Sequence, residues 1–348
     1  MKKIIAIIGA RPQFIKHAAL DLASRGKIKL VTIHTGQHYD ENMSAVFFNQ
    51  LKITKPDYLL KTGGLLHGHQ TGLMMQEIEK ILVQESADGV LVYGDTNSTL
   101  AGALVAAKLQ IPVFHVEAGL RSYNKKMPEE INRVLTDHVS DLLFVTSANA
   151  TENLHKEGIK SNIIEVGDVM YDMILIAQNE LGSAPKNEDY YFCTLHRPYN
   201  VDEKNRFLSI LKTLDQLDKR IVFPIHPRSQ TRMKDAGASQ NQFPNISFIE
   251  PVSYFDNIAY LAGSSGLITD SGGMQKEAYW LKKKCITLRS ETEWTETLEN
   301  NWNKLVFDDL SQIQVALKEN PGEYVQLYGV GRAAEKIVDI LCTYDSRS

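Results

Sequence analysis

Three carboxylates stand where an acid or a base could act on a ligand: Asp95, Glu117 and Glu129. Asp95 ends the apolar run "GVLVYGD" and Glu117 ends "VFHVEAG", so each lies where a buried strand runs out. Ala118-Gly119 follows Glu117, which therefore has no helix to cap and no ordinary structural role. Asp95 precedes Thr96-Asn97-Ser98 and could equally be the N-cap of the next helix. Glu129 and Glu130 follow Pro128 at a helix start, where either would complement the helix dipole. Glu129 is read as the second acid–base group and Glu130 as a helix-start acid. Basic groups accompany them. Arg11 and Lys16 flank the first helix start, with Pro12 suited to its first position. His196-Arg197 closes the run "YYFCTLH". A lone histidine is more often structural, but an arginine beside it at a strand end favours a functional role. His17 and His155 lie within helical stretches and are read as structural.

The second kind of chemistry is phosphate binding. In "GLITDSGGMQKEAYWL" an apolar strand runs into Asp270-Ser271-Gly272-Gly273 and then a helix. Glycine lets backbone approach a ligand closely, and a helix start offers unpaired N–H groups and a positive dipole end. Glu277, further along that helix, is placed to accept from a ribose diol. The plain alternative is a strand-to-helix turn with a serine cap. No Gly-Lys-Ser/Thr follows, and Gly9-Ala10-Arg11-Pro12 is not a dinucleotide fingerprint. His226 and Arg228 close another apolar run, "IVFPIHP". His67-Gly68-His69 is isolated, and no spacing of His, Cys and acid makes a metal site. No G-x-S-x-G elbow is present. These residues suit a nucleotide sugar: carboxylates to move a C–H proton or stabilise an anomeric cation, and Arg and His to hold a departing diphosphate.

The elements that must position these groups are short apolar strands alternating with amphipathic helices. "IIAIIG", "LVTIHTG", "GVLVYGD", "VFHVEAG", "LLFVTS" and "IIEVGD" read as strands covered on both faces. The pattern restarts near residue 190 with "YYFCTLH", "IVFPIHP", "ISFIEP", "GLITDSGG" and "CITLRS". The fold class is α/β, with two Rossmann-like doubly wound domains facing a cleft. Residues 1–168 form the first domain and 169–330 the second, with "NELGSAPKNEDY" as a polar linker. The amphipathic helix within 331–345 is expected to pack back onto the first domain.

Composition narrows the classes. The 348 residues are 43% hydrophobic and 23% charged with a net charge of −4, which gives no electrostatic case for a nucleic-acid partner. Cys193, Cys285 and Cys342 read as free thiols of a reducing compartment. "MKKIIAIIGARPQF" reads as a buried strand rather than a signal peptide, and no apolar run reaches membrane-spanning length. The expectation is a cytoplasmic enzyme with no membrane partner.

"GARPQFIK", "GDTNSTLAG", "HVEAGLRS", "MPEEINR", "LHRPYNVD", "IHPR" and "TDSGGMQKEA", in this order over nearly the whole chain, resemble the non-hydrolysing UDP-N-acetylglucosamine 2-epimerases. The resemblance implies the GT-B type of fold, a homodimer, a UDP-sugar substrate, and no cofactor and no metal. It implies inversion at C2 by elimination of UDP to a 2-acetamidoglucal and its return, for surface polysaccharide synthesis. Asp95, Glu117, Glu129 and His196 match the family's acid–base positions, and Arg11 and Lys16 its first-loop basic residues. Ser271, Gly272 and Gly273 match its phosphate turn and Glu277 its ribose contact. Arg197 and His226 are further substrate-binding candidates. There are departures. Glu291-Thr292-Glu293-Trp294 stands where many members carry Thr-Glu-Arg-Pro. Allosterically activated bacterial members carry Gln and Arg where this chain has Asp40 and His69. "RSETEW", "HVEAGLRSYN" and "TLHRP" are closer to the branch acting on UDP-2,3-diacetamido-2,3-dideoxyglucuronate, whose uronate would meet Arg121, Lys125 or Lys126. A GT-B glycosyltransferase using a UDP-sugar donor is the alternative.

Overall fold

A computed structural model of the chain describes residues 1–37, 51, 53–182 and 189–345. Asp40 and half of the expected linker, 183–188, lie outside the described residues. The chain divides into two compact units, Met1–Leu175 with Gln326–Ser348, and Ile176–Val325.

The first unit is built on β1 (Lys3–Ile8), β2 (Lys29–His34), β3 (Tyr58–Leu59), β4 (Gly89–Tyr93), β5 (Val113–Ala118), β6 (Leu142–Val145) and β7 (Ile163–Glu165). All pairings are parallel, in the order β3-β2-β1-β4-β5-β6-β7. Apart from Lys3, the central strands are buried because helices cover both faces, which is why they read as apolar runs rich in Val and Ile. Those helices are α1 (Arg11–Ser24), α2 (His67–Glu85), α3 (Asn97–Lys108), α4 (Pro128–Val139), α5 (Ala148–Lys156) and α6 (Val169–Leu181). The division between units falls within α6, later than the expected 168.

A C-terminal helix, Ala333–Thr343, belongs to the first unit. Asp172 caps it, accepting from Ala333 N at 3.1 Å and Ala334 N at 2.7 Å. The Phe114 and Tyr344 rings meet edge-on at 5.0 Å.

The second unit contains β8 (Tyr190–Thr194), β9 (Arg220–Pro224), β10 (Ile246–Ile249), β11 (Gly266–Thr269), β12 (Cys285–Thr287) and β13 (Asn303–Leu305), in the order β10-β9-β8-β11-β12-β13. Its helices are α7 (Pro198–Val201), α8 (Lys204–Asp215), α9 (Pro227–Asp235), α10 (Tyr254–Gly263), α11 (Gly272–Trp280) and α12 (Gln312–Lys318), and the C-terminal helix is α13. No helix among the described residues is long and apolar enough to cross a membrane.

Both sheets reverse their winding at one place, between β1 and β4 in the first unit and between β8 and β11 in the second. Ligands of open parallel sheets bind beyond the strand ends at such a reversal. Gly9-Ala10 and Gly94-Asp95 stand there in the first unit, and Leu195-His196 and Asp270-Ser271 in the second.

Candidate active site

In the first unit the two loops at the winding reversal are locked together by Gln13. This buried residue of α1 accepts from Gly9 N at 2.8 Å and Ala10 N at 3.0 Å. Its amide donates to Tyr93 O and Thr99 Oγ1, both at 2.9 Å. Gly9 admits no side chain, because a Cβ would lie 2.1 Å from Ser98 Oγ and 2.2 Å from Thr35 Oγ1. Gln13 was not among the expected site residues; it lies at helical spacing from Lys16, His17 and Asp21, a buried polar stripe on α1.

The two strand-end carboxylates are both held by cations. Asp95 is not the N-cap of α3, because Thr96 does that work, accepting from Thr99 N at 3.3 Å. Asp95 instead pairs with Arg133 at 2.5 Å and stays 28% exposed. Glu117 is buried and forms an ion pair with Lys16. Its φ is +69°, in the left-handed region that an L side chain avoids. The cause is a register shift between Val116 and Ala118 in the β5–β6 pairing, which turns this one residue out of the pleat. Gly94 leaves room for the pair, since a Cβ there would lie 3.2 Å from both Glu117 Oε2 and Lys16 Nζ. Glu129 sits half-buried in the first turn of α4.

Two neighbours have roles other than those expected. Glu130 is no simple helix-start acid. Buried, it accepts from Ser122 N at 2.9 Å and Tyr123 N at 2.7 Å, and it pairs with Arg133 at 2.9 Å. Burial alone would raise its pKa, but these bonds outweigh burial and hold it below the usual carboxylate range. Arg121, expected as a contact for a uronate, has no exposed side-chain surface. Its guanidinium grips Glu157 at 2.6 and 2.7 Å and Asp137 at 2.7 Å. Asp137 in turn holds His115 Nδ1 at 2.7 Å, and His115 Nε2 meets Gly94 O at 2.7 Å. Arg121 thus supports the loop after β4 from behind. Lys125 and Lys126 are exposed, as is His69. His17 is buried, bonded to Tyr93 Oη at 3.0 Å and Thr32 Oγ1 at 3.1 Å, and burial pushes its pKa down to about 4.

In the second unit the phosphate-turn candidates gather at the start of α11. Ser271 is the residue before the helix but makes no side-chain cap. Its backbone N–H bonds Thr269 Oγ1 at 3.0 Å. Gly272 faces an Arg289–Glu293 ion pair of 3.0 Å, and a Cβ there would lie 2.7 Å from Glu293 Oε1. Among the described residues, nothing lies within 4 Å of a Cβ at Gly273. Gln275 ties α11 to the following loop, accepting from Thr292 Oγ1 at 2.7 Å. Trp294, in that loop, stacks on the buried Lys276 ammonium at 3.5 Å from the ring centre. Glu277 is buried.

At the other side of this reversal His196 is 56% exposed, and its Nδ1 lies 3.0 Å from the fully buried Asp270. Arg197 Nε is buried and has no hydrogen-bond partner among the described residues. His226 is at the N-cap of α9, its ring accepting from Arg228 N at 3.3 Å. Of the site residues expected from sequence, Arg11, Lys16, Asp95, Arg121, Glu117 and Glu129 lie in the first unit. His196, Arg197, His226, Ser271, Gly272, Gly273 and Glu277 lie in the second.

Two doubly wound parallel sheets, each with polar strand ends at its winding reversal, define an α/β fold of the GT-B type. A family profile described as UDP-N-acetylglucosamine 2-epimerase matches residues 20–342. A Methanococcus maripaludis protein named UDP-N-acetylglucosamine 2-epimerase homolog is 45% identical, over 97% of this chain and 99% of its own length. The Pseudomonas aeruginosa UDP-2,3-diacetamido-2,3-dideoxy-D-glucuronate 2-epimerase is 43% identical, with 97% of this chain and 99% of that protein covered. The crystal structure of Methanocaldococcus jannaschii UDP-GlcNAc 2-epimerase in complex with UDP-GlcNAc and UDP superposes with a TM-score of 0.87. It is 42% identical and covers 97% of this chain and 99% of that one. The chain belongs to the UDP-N-acetylglucosamine 2-epimerase family, whose named members are isomerases.

Proposed function

We propose that the chain inverts C2 of a UDP-linked 2-acetamido sugar without hydrolysing it. The observation that carries this reading is Glu117: a carboxylate held in a left-handed conformation, paired with Lys16, at a strand end beside the winding reversal. Strained residues persist where the surrounding structure over-determines them, and they gather at working sites.

The C2 proton has no carbonyl beside it in the ring and is not acidic. In the proposed step a base takes that proton, the C–H electrons form the C1=C2 bond, and the C1–O bond breaks with its pair leaving on UDP. The 2-acetamidoglucal is then protonated at C2 from the other face while a UDP oxygen re-forms the bond to C1. Atoms and electrons balance with no redox partner. Asp95, Glu117, Glu129 and His196 are the proton-moving groups. Ser271, Gly272 and the start of α11 hold the departing diphosphate, with Arg11, Lys16 and Arg197 as further anion contacts and Glu277 on the ribose. His226 contacts the nucleotide through the face not used in capping. We read the protein as a cytoplasmic homodimer serving surface-polysaccharide synthesis.

The sugar is UDP-GlcNAc, giving UDP-ManNAc, or its 2,3-diacetamido-glucuronate analogue. The motifs favour the second. With Arg121 committed to Glu157 and Asp137, Lys125 and Lys126 are the remaining cations of that loop for a uronate.

The test uses one UDP-sugar at a time in deuterated buffer. Deuterium is expected at C2, with the diphosphate signals in phosphorus NMR intact. No exchange from any UDP-2-acetamido sugar overturns the proposal. Free UDP accumulating with a mannosamine-type sugar identifies a hydrolysing enzyme. Turnover only with an added acceptor identifies a glycosyltransferase.

A further inference from the structure

The second unit buries a carboxylate that the proposed chemistry does not use. Asp270 follows β11 at the winding reversal and has no exposed surface. It accepts from His196 N at 3.0 Å, Arg197 N at 3.0 Å and Asn200 Nδ2 at 3.1 Å. Its fourth neighbour is the His196 imidazole, with Nδ1 at 3.0 Å.

We propose that Asp270 is the positioning residue for His196: it holds the imidazole as the Nδ1–H tautomer and leaves Nε2 as the atom that works on the ligand. A carboxylate can only accept, so the nitrogen facing it must carry the proton. The ring edge left exposed is then the one bearing Nε2. Buried anion, oriented imidazole and exposed second nitrogen repeat the logic by which a fixed carboxylate sets a catalytic histidine.

The carboxylate itself cannot swing away. Asn200 Nδ2 also donates to Leu288 O at 2.9 Å, and Asn200 Oδ1 accepts from Arg206 Nε at 3.1 Å. Arg206 donates to Phe307 O at 2.5 Å and lies 4.3 Å over the Phe307 ring. A chain Arg206–Asn200–Asp270–His196 therefore runs from the side of the sheet to the ligand edge. Burial works against the Asp270 charge, but the hydrogen bonds from His196, Asn200 and Arg197 hold its pKa below the usual range. The other titratable or charged groups that sense this pocket are Cys193, Tyr199, Arg197, Arg289 and Glu293. Burial pushes Cys193 well up, the nearby Asp270 adding to it, so its thiol stays neutral at working pH.

What Nε2 does rests on the epimerase reading; the tautomer does not. The first experiment is therefore long-range proton–nitrogen NMR of the wild-type imidazoles, with His196 assigned by its loss in His196→Asn. In the neutral ring, protonated Nδ1 and unprotonated Nε2 are expected, with or without UDP. The opposite tautomer overturns the proposal, whatever the enzyme's activity. The second experiment compares Asp270→Asn with wild type. Turnover should fall at least about 10-fold with a displaced pH profile, while UDP affinity stays within about threefold. In a His196→Asn background the same change should cost almost nothing further. Full and multiplicative losses in the double variant, or wild-type kcat and pH profile in Asp270→Asn, overturn it. If wild type exchanges no deuterium at C2, the epimerase reading fails while the NMR result still decides the dyad.

Discussion

Glu117 combines two costs that a structural residue would not carry. Its left-handed backbone costs roughly 1–3 kcal/mol, and its buried ion pair with Lys16 must offset the desolvation of two charges. Glu117→Gln keeps size and most hydrogen-bonding capacity but removes the charge and the basicity. Turnover should drop by about 10²–10⁴-fold, the usual range for a general acid or base. UDP affinity, measured by calorimetry, should survive, because the phosphate turn belongs to the other unit. Equal loss of both would make Glu117 a structural residue. The contrast with Arg121 shows where sequence reading stops. Arg121 and Arg133 look alike along the chain, each a cation near the strand-end carboxylates. One is absorbed by Glu157, 36 residues away, and by Asp137, while the other holds Asp95. Such long-range pairings leave no local pattern. The same holds for Asp270, whose place beside Ser271 was visible but whose grip on His196, 74 residues back, was not.

At the level of elements, the turn into α11 carries a sharp prediction because its two glycines differ. A Cβ at Gly272 would meet Glu293 Oε1 at 2.7 Å and Arg289 Nη1 at 3.5 Å, pressing on the ion pair behind the turn. A Cβ at Gly273 would meet nothing within 4 Å among the described residues. Both positions open the helix, where alanine gains less than the roughly 1 kcal/mol it gains over glycine in a helix interior. Gly272→Ala should therefore leave the melting temperature unchanged or raised and still weaken UDP binding about 10-fold or more. Unchanged UDP affinity in Gly272→Ala would remove the phosphate-turn assignment. The long elements were legible because an apolar run covered on both faces has an unmistakable composition. The edge strands β3 and β13 were not: Tyr58–Leu59 is only two residues long, and Asn303–Leu305 opens on two polar residues rather than an apolar run. Thr96 rather than Asp95 as the cap of α3 was also not decidable, because both residue types cap well and only the backbone places one of them.

The first unit carries buried groups that respond to acid between pH 7 and 5. His17 and His34 are buried, and burial pushes both pKa values down to about 4 from 6.5. The folded state keeps these rings neutral while the unfolded chain protonates them. Their stabilising contribution is complete above pH 6.5 and is lost as the pH falls toward about 4. Asp172 acts in the opposite sense. Burial raises its pKa to about 6 from 3.8, so the folded state takes up a proton first and gains stability as the pH falls through 6. At pH 5, relative to pH 7, each histidine removes about 2 kcal/mol and Asp172 returns about 1 kcal/mol. The histidines win, and the first unit should lose roughly 2–3 kcal/mol between pH 7 and 5. Urea denaturation, followed by a probe in residues 1–175, should show its midpoint falling over that interval. His17→Gln, which keeps polar atoms for Tyr93 and Thr32 but cannot titrate, should flatten the fall by about 2 kcal/mol whatever it does to stability at pH 7. An unchanged slope in that variant would mean His17 is not the group that senses acid, and a midpoint rising toward pH 5 would mean Asp172 outweighs both rings.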